Sequence, residues 1–144
     1  MPDSFESQTL TGLNCFFSFA HSDPRYVRFL ERCLRRHGAG VALFHEKFPQ
    51  GNLDDRIIDA INACDFQVVF CTRSSSHSSW VRKEVEYAER LGKKQVFLLL
   101  DPMKDMSWFD FHHHHSYRID LNGFSSDSLL RNHLTSAIIS SLAD

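Results

Sequence analysis

The stretch Asn14-Cys15-Phe16-Phe17-Ser18-Phe19-Ala20-His21-Ser22-Asp23-Pro24 decides how this chain folds. Its first six residues put apolar side chains on both faces of an extended backbone, the pattern of a strand covered on two sides. Ala20-His21-Ser22 breaks the run. Asp23 then stands where a helix takes its N-cap, and Pro24 at the first helical position, where a missing N–H costs nothing. Val27, Leu30, Cys33 and Leu34 share one face of the helix that follows, and Gly38 stops it. A doubly buried strand feeding an amphipathic helix opens a β-α-β unit.

The chain repeats that order. Val41-Ala42-Leu43-Phe44 reads as a second strand, and His45 to Gly51 as a polar loop. Asn52 is expected to cap a second helix, with Asp54 and Asp55 in its first turn and Leu53, Ile57, Ile58, Ile61 and Cys64 as its apolar stripe. Phe66 to Cys71 is a third strand, Thr72 to Ser79 a Ser-rich loop, and Trp80 to Leu91 a third helix closed by Gly92, with Lys93 and Lys94 at its carbonyl end. Gln95 to Leu100 is a fourth strand, Tyr117 to Leu121 a weaker fifth, and Ser126 to Leu142 a last helix. Residues 101–116 match neither period, and a segment of that length is usually functional or mobile. Strands apolar on both faces and separated by helices predict a parallel sheet, and right-handed crossovers make it a doubly wound α/β domain.

Composition narrows the function. With 144 residues, 42% of them hydrophobic, 24% charged and 12% aromatic, the chain is expected to be one globular domain, with residues 1–12 as a flexible amino-terminal segment. A net charge of −2 gives no basic surface for nucleic acid. The longest apolar run, Gln95 to Leu100, is far short of the ~20 residues that span a bilayer, so no membrane partner is expected. The acidic start, Met1 to Glu6, lacks the regions of a signal peptide. Cys15, Cys33, Cys64 and Cys71 form no C-x-x-C pair, and three lie in apolar runs, which predicts a reduced, cytoplasmic protein.

In an open parallel sheet, ligands bind beyond the carboxyl ends of the strands, where strand order reverses. That rule selects the loops at Phe19 to Asp23, His45 to Asn52, Thr72 to Ser79 and Asp101 onward. No G-x-G-x-x-G follows the first strand, and a Walker A loop is absent. A phospho-acceptor receiver needs an Asp ending the third strand, which here ends Phe70-Cys71-Thr72. Ser/Thr spacing through residues 19–23 does not make a flavodoxin-type phosphate loop. Ser74-Ser75-Ser76 near His77 lacks the Gly-x-Ser-x-Gly turn of a hydrolase nucleophile. The His112-His113-His114-His115 run points its rings in alternating directions, so it reads as a surface loop rather than a metal site, and no metal or cofactor is expected. Trp108, Phe109 and Phe111 beside it are either a lid or core filling.

Three segments remain, and together they resemble one family. Phe16-Phe17-Ser18-Phe19 resembles the first signature box of Toll/interleukin-1 receptor (TIR) domains, with Phe19 where Tyr is usual. Phe44-His45-Glu46, then Pro49-Gln50-Gly51 and the helix from Asp54 to Ile61, is similar to the second box and its BB loop. Ser76 to Glu84 resembles the segment entering the third helix, with Trp80 and, four residues on, Glu84. The likeness runs in order and spacing from residue 14 to about residue 102. It implies the TIR fold: a flavodoxin-like, doubly wound α/β sheet of five mainly parallel strands with helices on both faces.

The resemblance implies two kinds of activity. Some TIR domains are adaptors that assemble through the BB loop, here Phe48, Pro49, Gln50 and Gly51. Others cleave NAD+ as substrate, releasing nicotinamide and ADP-ribose or a cyclic or conjugated derivative, and in these the acid of the Trp-x-x-x-Glu segment is catalytic. That position is Glu84. Its helix face is shared with Trp80 and borders the stripe of Val81, Val85 and Ala88. The leaving pyridine already carries positive charge and needs no general acid, so one carboxylate steadying an oxocarbenium-like ribose is compatible with the reaction. A solvated Glu84, pairing with Arg82, Lys83 or Tyr87, is the plain alternative.

Phe19, Ala20 and His21 are expected to border the pocket, with His45, Leu53 and Arg73 as further lining and Arg73 as a phosphate contact. Trp80 either shapes the nicotinamide end or simply buries its ring. Ala20 and His21 stand where NAD-cleaving relatives often carry charge, and Leu53 where some carry an aromatic. These departures favour an adaptor, and the acid at 84 favours the enzyme. The first reading is a bacterial-type, Thoeris-like defence enzyme making an ADP-ribose-derived messenger for a separate effector, and self-associating to complete its cleft. The alternative is a non-enzymatic scaffold acting through TIR–TIR contacts.

Overall fold

The computed structural model describes residues 10–20, 24–44, 55–99, 116–118, 132–133 and 135–140. The sheet has five strands: β1 (Asn14–Ser18), β2 (Gly40–Ala42), β3 (Phe66–Cys71), β4 (Lys94–Leu99) and β5 (Ser116–Arg118), in the order β2-β1-β3-β4-β5. All four pairings are parallel. The helices are α1 (Pro24–Arg36), α2 (Asp55–Ala63), α3 (Arg73–Ser76) and α4 (Ser79–Arg90), and residues 132–133 and 135–140 are helical. The doubly wound α/β expectation holds, and the strand order reverses between β1 and β3.

Strand period 2 divides the core in two. Cys15, Phe17 and Phe19, with Phe66, Val68 and Phe70 and then Val96 and Leu98, form one apolar face, covered by Val27, Leu30, Cys33 and Leu34 of α1 and by Ile138. On the other face Phe16 meets Ile57, Ile61 and Ala88, while Val69, Cys71 and Phe97 meet Val81 and Val85. Thus α1 lies on one side, and α2 and α4 on the other. Gly38 and Gly92, at φ +96 and +72, end α1 and α4 in the left-handed region, where a Cβ would be strained.

The structure departs from the sequence expectations in particular places. Leu10, expected within the amino-terminal segment 1–12, is buried in the core, and its N–H donates to the His37 carbonyl at 2.8 Å; residues 1–9 lie outside the described residues. β2 lies at 40–42, one residue ahead of the expected start, leaving Leu43 and Phe44 beyond the ladder; the Phe44 ring packs 6.2 Å from that of Phe16. The Ser-rich segment is not all loop. Thr72 caps α3, with its Oγ1 accepting from the Ser75 N–H at 3.1 Å and its N–H donating to Ser75 Oγ at 2.8 Å. The expected caps Asp23 and Asn52 lie outside the described residues.

Candidate functional site

β1 and β3 are neighbours with Ser18 opposite Val69, so their carboxyl ends stand side by side at the reversal point. Ala20, half-buried, continues from β1; Thr72 and Arg73 continue from β3, with Arg73 exposed on α3. α4 then starts from this same edge. Ser78 caps it, its Oγ accepting from the Val81 N–H at 3.2 Å. Helical side chains lean toward the amino end of their helix, so those of α4 lean back toward the carboxyl edge of the sheet.

Glu84 is on the inner face of that helix. Val81, Glu84, Val85 and Ala88 are its buried residues, the i, i+3, i+4, i+7 stripe that docks on β3 and β4, and Glu84 is 0% exposed. The solvated alternative is therefore wrong. Arg82 pairs with Glu86 on the outer face at 3.7 Å. No described group donates a hydrogen bond to Glu84 Oε2, although the residue does have an interaction of its own.

Trp80, one turn before Glu84, is half-buried. Phe19 corrects an expectation. Its ring is 3% exposed and packs edge-on to Phe70 at 6.4 Å, on the α1 face and away from Glu84, so it fills core rather than lining the site. Ala20 thus follows β1, Arg73 follows β3, and Trp80 and Glu84 lie in the first half of α4, the helix that starts from the same edge. His21, His45, Leu53, the BB-loop residues Phe48 to Gly51, and His112 to His115 lie outside the described residues. Among the described residues, no group of His, Cys, Asp and Glu is arranged to hold a metal, and no helix is long and apolar enough to cross a membrane.

The sequence reading passed over Gln67 and Gln95, both buried on the same face as Glu84. They stand opposite each other in β3 and β4. The available signal was a glutamine at matching positions of two strands otherwise apolar on both faces, where a polar side chain is rarely buried without a reason.

The four cysteines are free thiols and all buried. Burial pushes the thiols of Cys15 and Cys71 well above the ordinary range. Burial also lifts Cys64 to about 11, with Lys93 opposing the rise and Asp65 adding to it. Cys15, Cys64 and Cys71 are therefore not poised as thiolate nucleophiles.

A family model described as "TIR domain" matches residues 15–126. Among solved structures, the chain is similar to the TIR domains of the activated Roq1 resistosome directly recognizing the pathogen effector XopQ. That match has a TM-score of 0.52 and 15% identity, over 92% of this chain and 85% of that one, and it shows the fold. No curated protein matches.

Proposed function

The chain belongs to the TIR domain family, and on that premise we propose that it is an NAD-consuming enzyme with Glu84 as its catalytic carboxylate. The observation that supports this reading is a carboxylate in the docking stripe of α4, four residues after Trp80 and beside the reversal point of the sheet. The neighbours of that acid in the stripe are apolar, and a reaction that builds positive charge on a ribose gives it a task.

In that reaction the bond between ribose C1′ and the pyridine nitrogen breaks. Its electron pair goes to the ring, which leaves as neutral nicotinamide, and C1′ takes on oxocarbenium character. Glu84 holds the ribose hydroxyls and offsets that charge; in a site shielded from water the interaction is far stronger than at a surface. Water adds at C1′ and releases a proton to give ADP-ribose, or a hydroxyl or ring nitrogen of the nucleotide adds to give a cyclic or conjugated product. In this reading Arg73 meets phosphate and Trp80 bounds the nicotinamide end. The reading extends to intracellular immune signalling, with the product acting on a separate effector.

One observation favours the second reading, a TIR scaffold. Glu84 has no exposed surface, so substrate reaches it only when the protein opens around it. The enzymatic proposal therefore includes self-association as the event that opens and completes the cleft. The test is incubation with NAD at high protein concentration, resolving nicotinamide and ADP-ribose products beside Glu84→Gln. Product from the wild type and a loss of at least about a hundredfold in the folded variant is expected, the scale of removing a main electrostatic stabiliser. Equal product from both removes Glu84 from its role, and no product at any concentration leaves the scaffold.

A further inference from the structure

A buried polar line crosses the sheet, and the reaction above does not use it. Ser18, Gln67 and Gln95 are 0%, 0% and 3% exposed. Gln95 Nε2 donates to the Val85 carbonyl at 3.0 Å and to Gln67 Oε1 at 2.8 Å. Gln67 Nε2 in turn donates to Ser18 Oγ at 2.7 Å. Both amide protons of Gln95 are thereby used, and the donors run outward from Gln95, one to α4 and the other by way of Gln67 to the end of β1. All three side chains alternate onto the face that carries Glu84. The α1 face, built from Phe17, Val68, Phe70, Val96 and Leu98, has no counterpart among the described residues.

Apolar packing alone would dock α4, and it would do so loosely in register. Val81, Val85 and Ala88 make contacts that are non-directional, so small slides and rotations of the helix change them little. A hydrogen bond to one carbonyl of the helix is directional. Val85 follows Glu84 in the chain, so fixing the Val85 carbonyl fixes the backbone that carries the carboxylate. The far end of the line is the last residue of β1, the strand that leads into Ala20 at the site.

We propose that Gln67 and Gln95 are positioning residues for Glu84: the line from Ser18 to Val85 sets the height and rotation of α4 against β1, and so places the carboxylate against a ribose bound at that edge. This rests on the enzymatic reading. It uses bonds that a buried sheet face does not need, since leucine or methionine would fill the same space with no polar group to satisfy.

The decisive variant is Gln95→Met, which keeps the volume and drops both donors. We expect a folded protein, a KM for NAD within about twofold of wild type, and kcat lowered about tenfold or more, because a small misplacement of a reacting group is felt in the chemical step. Gln67→Met/Gln95→Met is expected to lose no more than Gln95→Met, since the line acts as a unit. A role in stability alone would lower the folded fraction and leave kcat per folded molecule unchanged, which overturns the proposal.

A second readout needs no activity. The carboxyl ¹³C resonance of Glu84 and the amide exchange of Val81 to Ala88 are expected to change in Gln95→Met, with amides of Val27 to Leu34 in α1 unmoved. If the wild type cleaves no NAD, the enzymatic reading fails by itself, and this readout still decides whether the line holds Glu84. An unchanged Glu84 resonance overturns the positioning role whatever the activity. Should Gln95→Met not fold, Gln67→Met cuts the tie to β1 while keeping the bond to Val85, and the same readouts decide.

Discussion

Glu84 stands between Val81 and Val85 in an otherwise apolar stripe, at 0% exposure. Glu84→Gln keeps the shape of the side chain and is expected to leave the fold intact while costing at least about a hundredfold in NAD cleavage. Calorimetry of this one variant beside its activity separates the two roles: a folded, inactive protein supports catalysis, and an unfolded one marks an acid kept for structure. Cys64 gives the other single-residue prediction. Burial holds its thiol at about 11 in the folded chain, against about 8.5 when unfolded. The folded form keeps its proton where the unfolded form loses one, so this stabilisation is complete below the unfolded value and falls as pH rises through about 11. Urea midpoints between pH 8 and 11 should drop, and Cys64→Ala should flatten that slope; an identical slope would mean that other groups carry it. Glu84 was legible through its spacing from Trp80. Gln67 and Gln95 were not, because a glutamine near a strand end reads as an exposed terminus until the register pairs it with another.

The helices that frame the site depend on two caps of different kinds. Ser78 accepts one hydrogen bond at the start of α4, from the Val81 N–H at 3.2 Å. Thr72 and Ser75 exchange two at the start of α3, both residues buried at 3% and 0% exposure. Ser78→Ala is expected to cost about 1 kcal/mol, and Thr72→Val more, about 2 kcal/mol, because it leaves the Ser75 N–H buried without its acceptor. Urea unfolding at constant m-value checks the order, and a larger loss at Ser78 would contradict it. The same elements show which signals a sequence carries. β1, β3 and β4 were readable from apolar side chains on both faces, and α1 and α4 from their stripes and closing glycines. α3 was missed because Arg73-Ser74-Ser75-Ser76 has no apolar period: its geometry comes from side chains bonding backbone. β2 was misplaced because its residues are only half-buried, so apolar character does not mark the hydrogen-bonded register.

Across the whole molecule the two faces of the sheet differ, and that difference was invisible until the strands were aligned. One face is apolar throughout its described strand residues; the other carries Ser18, Gln67 and Gln95 beneath the helix that holds Glu84. The parallel, doubly wound architecture could be read from the order of elements, because each strand announces its burial locally. The site could be read only in part. Arg73 follows β3 and Glu84 lies on the inner face of α4, whereas the Phe19 ring turns to the opposite face, since one residue of strand period decides its side and the sequence leaves open where β1 ends. The closed state of Glu84 sets the last expectation. If a lone subunit keeps the carboxylate from solvent, and contact with a second subunit is what opens the edge, then the rate of NAD cleavage should rise faster than in proportion to protein concentration. Molecules held dilute, with NAD saturating, should turn over slowly. The check is the initial rate of nicotinamide release across a hundredfold dilution series, beside the oligomer fraction from sedimentation. Specific activity that climbs with the oligomer fraction places assembly on the reaction path, and specific activity constant throughout would mean that a single subunit opens by itself.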